Sequence, residues 1–219
     1  MTQPETEIRR AWRQIAGHHH DGSVDDLLVR YAEPHRRYHT ATHIMFVLRH
    51  LYDMPALASA TKLSPEIIAA ALYHDAIYDP TAADNEAHSA TIAAADLAAI
   101  GWSSASCGSV AALIRATAGH LDDAAVDTGD DTAMLLDADL AILGADPSAY
   151  QAYVNGVRAE YHHVDDEQWR AGRAAVLRRF LGRSQLFITD HMRAALEHRA
   201  RANIEAELSV LMHHRAEND

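Results

Sequence analysis

The chain has 219 residues, 48% of them apolar and 23% charged, with a formal net charge of −12 and one cysteine. Its length holds one domain with a sizeable core, at about 150 residues per domain. The acidic balance argues against coating a nucleic-acid polymer, which takes a basic footprint, and the lone Cys107 excludes an internal disulfide framework.

Strand signals are nearly absent, whereas Ala, Leu, Glu and Arg recur at helical spacing. The first residues carry no apolar secretory stretch, and no run of about 18 apolar residues follows anywhere, so a soluble cytoplasmic protein without a membrane span is expected. His18-His19-His20 resembles a metal tract but reads as polar loop. A helix starts at Ser23-Val-Asp-Asp-Leu-Leu and ends before Pro34. The next runs from about Thr42, carries Phe46, Val47 and Leu51, and stops near Pro55. Ser64 as N-cap with Pro65 in the first turn opens the helix that leads to His74-Asp75. After a loop through Asp79-Pro80, Asp84 caps an alanine-rich helix that closes at Gly101. A short helix near residues 110–118 precedes a polar stretch at 119–130, the longest loop. Asp131 begins the helix that holds Asp139 and ends at Gly144. Further helices start at Asp146-Pro147 and Asp165, and a long one runs from about Asp190 to His214. The expected fold class is all-α in a single domain over residues 1–219, with no repeat or linker.

The chemistry concentrates on a few positions. His74-Asp75 sets an imidazole beside a carboxylate at the end of an apolar helix, so both can reach one cation. His43 lies upstream among Phe46, Val47 and Leu51, and Asp139 downstream among Leu135, Leu136, Ile142 and Leu143. A carboxylate on a core-facing stripe is costly unless it is paired or binds a metal. Asp137 takes the opposite helical phase. Each residue alone has a plainer role: a hydrogen-bonded core histidine, a solvated helix-end carboxylate, or a buried Asp capping a neighbouring helix. Together, the two His and two Asp form a mixed N/O set suited to one divalent transition metal such as Mn, Fe, Co or Zn.

The order His…His-Asp…Asp resembles the HD superfamily of metal-dependent phosphohydrolases. A bacterial branch of predicted HD phosphohydrolases is similar in Tyr31-Ala-Glu-Pro-His-Arg-Arg-Tyr-His-Thr-Ala-Thr-His43-Ile, His74-Asp-Ala-Ile-Tyr-Asp-Pro and Asp84-Asn-Glu-Ala-His-Ser-Ala. The likeness continues through Thr117-Ala-Gly-His120, Leu136-Asp-Ala-Asp139-Leu-Ala-Ile-Leu-Gly, Val157-Arg-Ala-Glu-Tyr161, Gly172-Arg and Ala200-Arg-Ala-Asn-Ile-Glu-Ala-Glu-Leu208. The resemblance implies an HD-domain-like bundle of about eight to ten helices with terminal extensions, and His43, His74, Asp75 and Asp139 as metal ligands. It also implies hydrolysis of a small phosphate ester, such as a nucleotide. In that family the metal polarises a phosphoryl oxygen and lowers the pKa of the attacking water.

The same resemblance bears on the neighbouring residues. In such a pair the second His is the ligand, so His39 is expected outside the coordination sphere, orienting a ligand or contacting a phosphate. Asp79 matches half of an acidic pair that assists hydrolysis in alarmone-cleaving members; it either positions the attacking water or turns the chain before Pro80. Glu86 holds a water at the metal or belongs to its helix's first turn. His120, with His88 a weaker candidate, leaves a second metal open or contacts phosphate. Arg36 of the Arg36-Arg37 pair is expected to clamp phosphate, while Arg158, Arg173 and Arg201 are expected in ion pairs with Glu160, Glu205 and similar residues. Two rivals stand beside the phosphohydrolase: an HD-type di-iron oxygenase, which needs six protein ligands, and a non-catalytic nucleotide-binding module. A homodimer stays open, without a heptad seam to define it.

Overall fold

In the computed structural model, which describes residues 1–17, 20–54, 63–119 and 129–216, the regular structure is all-helical. Ten α-helices lie among the described residues, without a strand. The first was not anticipated: α1 (Gln3–Ala16) starts with a capping box, in which Thr2 accepts from the Glu5 amide and Glu5 reaches back to the Thr2 amide. It buries Ile8, Ala11 and Trp12, whose indole N–H donates to the His20 carbonyl at 2.9 Å. Gly17, at φ 71°, takes the left-handed turn that ends it.

Helix α2 (Asp21–Tyr31) turns Val24, Leu27 and Tyr31 inward, and α3 (Ala41–Asp53), capped by Thr40, buries His43, Ile44, Val47, Leu48 and Leu51. The short α4 (Pro65–Tyr73) is buried on every side from Ile67 to Tyr73, the pattern of a central helix. It packs against α1, α3, α5, α6 and α7. Helices α5 (Asn85–Ala99) and α6 (Ser104–Ala116) form an antiparallel pair across Gly101, whose φ is 92°. Helix α6 begins six residues before the expected position 110, because Ser103 supplies an N-cap by accepting from the Ser106 amide.

Helix α7 (Asp130–Leu140) lies on α3, α4 and α6 and tightens into a 3-10 turn, Ala141–Gly144. Then come α8 (Pro147–Glu160), α9 (Asp166–Gly182) and α10 (Asp190–Ala216). Gly144 lets α10 approach this turn closely: a Cβ there would lie 2.6 Å from Leu196 Cβ. Asn203 completes the joint by donating to the carbonyls of Leu143 and Ala145. One cluster of buried apolar side chains runs from Ile8 in α1 to Ile204 in α10, so the helices that carry the site share a close-packed core. Among the described residues, no helix is long and apolar enough to cross a membrane.

Candidate metal centre

Three helix ends meet at one point. His43 sits in the first turn of α3, His74 is the C-cap of α4 with Asp75 next to it, and Asp139 stands one residue before the end of α7. His43 Nε2 lies 3.1 Å from His74 Nε2, 3.3 Å from Asp75 Oδ2 and 3.1 Å from Asp139 Oδ1. His74 Nε2 lies 3.2 Å from Asp75 Oδ2 and 3.5 Å from Asp139 Oδ1. Donor atoms about 2.0–2.2 Å from one divalent ion stand roughly 3.0–3.5 Å apart along the edges of its polyhedron. These five separations match that spacing; the ligand atoms that all lie within 4.8 Å of one another are those of His43, His74 and Asp75, with Asp139 held against the two imidazoles.

The donor chemistry fits as well. His74 Nδ1 donates to the Ala71 carbonyl at 3.0 Å, so neutral His74 presents a lone pair at Nε2. Two imidazole lone pairs and two carboxylates then face one another, an acceptor set with charge −2 that a divalent cation complements. The side chains of His43 and His74 are 1% exposed, those of Asp75 and Asp139 17% and 15%, so the imidazoles are enclosed and the carboxylates partly reach solvent. Burial works against charge on His74, but Asp75 and Asp139 outweigh it and raise its pKa well above the ordinary imidazole value; His43 is raised by the same two carboxylates against the same penalty. Burial would push Asp75 up, yet His74, His43 and His39 hold it well below the usual carboxylate range. The pocket favours positive charge, whether protons or a metal supply it.

The segment before α3 is clamped from two sides. Glu160, at the end of α8 and fully buried, accepts through Oε1 from the amides of Arg37, Tyr38 and His39 at 2.7, 2.8 and 3.0 Å. Its Oε2 accepts from His39 Nδ1 at 2.8 Å and the Tyr78 hydroxyl at 3.0 Å. Burial opposes this charge, but His39 and the amides prevail and bring its pKa down from 4.5 to about 2. Gly156, one turn earlier, makes the approach feasible, since a Cβ there would stand 3.1 Å from Tyr38 Cβ. The expected pairing of Glu160 with a later arginine is therefore corrected. Arg158 pairs with Asp166, Arg173 with Glu207 and Arg201 with Glu197, while Glu160 serves the backbone of the ligand-bearing segment.

Arg36 is also corrected. It is not exposed for a phosphate: its side chain is fully buried, with Nη1 donating to the carbonyls of His39 and Asp75, Nη2 to that of Ala76 and Nε to Glu33. It ties the loop before α3 to the His74-Asp75 turn. His39 remains half-exposed, its ring 5.7 Å from that of His43 and stacked 4.1 Å from Tyr78. With Nδ1 committed to Glu160, its free function is Nε2.

The remaining candidates separate. Asp79 is exposed and its Oδ1 accepts from the amide and hydroxyl of Thr81, the turn-forming alternative. Glu86 is half-buried in the first turn of α5, near enough to Tyr161 to help Glu160 and burial raise that phenol's pKa. His88 is exposed beside Asp84, and His120 lies outside the described residues. Asp137 does point away from Asp139, but into the protein, where it accepts from the amides of Ile188 and Thr189 and the Thr189 hydroxyl ahead of α10. The buried Asp that caps a neighbouring helix is thus Asp137. Glu160, Tyr38 and Tyr78 carry site-building roles that pattern alone did not assign, although all three fall inside the stretches that prompted the family resemblance. Comparison of the chain with protein families, with curated proteins and with solved structures gives no match.

Proposed function

We propose that this protein is a metal-dependent phosphohydrolase of the HD type, acting on a small phosphate ester such as a nucleotide. The observation that carries the proposal is the convergence of His43, His74 and Asp75, grouped closely enough to hold one ion, with Asp139 Oδ1 3.1 and 3.5 Å from the two imidazoles. A divalent cation such as Mn, bound there, supplies Lewis-acid activation of water and of the phosphoryl group. The chain's own residues supply the rest. Glu160 fixes His39 through Nδ1 and leaves Nε2 to give a proton to the departing oxygen as the P–O bond breaks, and to recover one from solvent. Arg36 and Glu160 hold the segment that carries His39 against the His74-Asp75 turn, so the geometry is set before substrate arrives. Glu86, half-buried in the first turn of α5 and near enough to Tyr161 to act on its phenol, is assigned to orienting water.

The test is metal analysis of the purified protein, followed by a panel of nucleoside mono- and triphosphates, alarmones and simple phosphate esters with Mn, Fe, Co, Zn or Mg. Metal-dependent hydrolysis that disappears in Asp139→Asn is the expected outcome. Stoichiometric metal with no turnover across the panel would leave a binding module instead, and two irons per chain with oxygen-dependent chemistry would favour an oxygenase.

A further inference from the structure

We infer that Tyr38 is a positioning residue for His43, holding that imidazole by ring contact where its companion is held by a hydrogen bond. The inference rests on His43 being a metal ligand. Histidines that bind metals ordinarily give their second ring N–H to an acceptor, which fixes the tautomer and the ring's rotation. His74 does so through Ala71. His43 does not: its Nδ1 is buried without a hydrogen-bond partner among the described residues. Its orientation must come from packing.

Among the described residues three rings stand next to it, with centroids at 4.9 Å for Tyr38, 5.3 Å for His74 and 5.7 Å for His39. Tyr38 is nearest, tilted 46° to His43, and is itself immobilised. It meets Tyr153 edge-on at 4.8 Å, and the Tyr153 hydroxyl accepts from Arg173 Nη1 at 3.0 Å. Its amide donates to Glu160 at 2.8 Å, and Gly156 brings α8 against its Cβ. The Tyr38 hydroxyl is likewise buried and without a hydrogen-bond partner among the described residues. The phenol oxygen therefore contributes nothing to this role, and the ring contributes all of it. Aromatic contacts of this kind are directional, with edge-to-face and tilted arrangements preferred at these centroid distances.

Phenylalanine should consequently replace Tyr38 without loss, whereas an aliphatic side chain of comparable bulk should not. The experiment is calorimetric titration of metal-free wild type, Tyr38→Phe, Tyr38→Leu and Gly156→Ala with Mn, with circular dichroism and thermal unfolding of each metal-free protein alongside. Tyr38→Phe should bind as wild type does. Tyr38→Leu should bind about 10–100-fold more weakly, the range for losing a ligand's outer support, while retaining helical content. Gly156→Ala touches no ligand but presses on Tyr38 Cβ, and should weaken binding in the same direction; it decides the matter should Tyr38→Leu not fold. Equal loss in Tyr38→Phe and Tyr38→Leu would assign the role to the hydroxyl and overturn the inference. Unchanged affinity in Tyr38→Leu, or in Gly156→Ala where Leu does not fold, would reduce Tyr38 to core packing. A wild type that binds no Mn or other divalent metal overturns the centre itself and this role with it.

Discussion

Arg173 and Glu207, joined across α9 and α10, are 8% and 7% exposed at their side chains, as deeply set as much of the candidate centre between α3, α4 and α7. Their charges cancel within the cluster. Arg173 reaches both Glu207 oxygens at 2.8 and 3.0 Å and the Tyr153 hydroxyl at 3.0 Å, and the Tyr150 hydroxyl also donates to Glu207. At the centre, two imidazoles and two carboxylates bring ring nitrogens and carboxylate oxygens to within 3.1–3.5 Å of each other around His43 and His74. Closed charge is what a structural ion pair needs. Acceptors converging on a common point are what a cation needs, and a neighbouring ring chain, Tyr153 to Tyr38 to His43, links the two regions.

The sharpest way to break this contrast is to open the closed cluster. Glu207→Ala strands the Arg173 guanidinium in the interior, where loss of one partner of a buried pair costs about 3–5 kcal/mol. For a chain of this length the thermal midpoint should drop on the order of 10 °C. Urea unfolding measures it directly. A cost below about 1 kcal/mol would mean the pair behaves as a solvated surface contact, and the comparison would lose its structural pole.

Glu160 gives a pH-dependent version. Its folded pKa of about 2 lies below the ordinary 4.5, so its contribution is complete above the unfolded value and is lost as pH falls through the folded one. With the carboxylate buried, the difference amounts to roughly 3 kcal/mol. Wild type should lose stability between pH 5 and pH 2 more steeply than Glu160→Gln, whose amide does not titrate. Parallel acid limbs in the two proteins would remove Glu160 from the buried charged groups.

Asp137 and Asp139 bring the contrast onto one helix. Manganese at 100 times its dissociation constant should stabilise wild type by about 2.7 kcal/mol, reversibly with chelator. Asp139→Asn should abolish that gain. Asp137→Asn should keep it, while costing about 1–3 kcal/mol through the hydrogen bonds that Asp137 accepts ahead of α10. Equal losses of metal response in both variants would show that the helix does not separate the two roles.

Much of this was legible from local chemistry. Ser64, Pro65 and an unbroken apolar run specify α4 and deliver His74-Asp75 to its end, and helical phase alone separates Asp139 from Asp137. What escaped depends on distant docking. Glu160 meets His39 across 121 positions, an approach governed by Gly156 that no periodicity encodes. Arg36 has the look of an exposed loop arginine until the carbonyls of Asp75 and Ala76, 39 and 40 residues on, are folded against it. Helix α1 carries local signals of its own, the Thr2–Glu5 box and an apolar face of Ile8, Ala11, Trp12 and Ile15 at helical spacing.

The smallest expected effect separates Asp79 from Glu86, two carboxylates that the chain pattern made equal. Asp79 is exposed and its Oδ1 is occupied by Thr81, whose hydrogen bonds lower the carboxyl pKa. Removing that charge in Asp79→Asn leaves an oxygen that still accepts from Thr81, so stability should move by no more than about 0.5 kcal/mol and turnover should match wild type. Glu86 is half-buried at the start of α5, with its charge felt at Tyr161, the residue after Glu160. Glu86→Gln should slow turnover by about 10²-fold or more, the range for a group that assists proton transfer or water orientation, with metal content unchanged. Steady-state kinetics of both variants on whichever phosphate ester the panel identifies decides between them. A slow Asp79→Asn beside an unaffected Glu86→Gln would reverse the assignment and place the water-orienting carboxylate on the turn after the metal ligands.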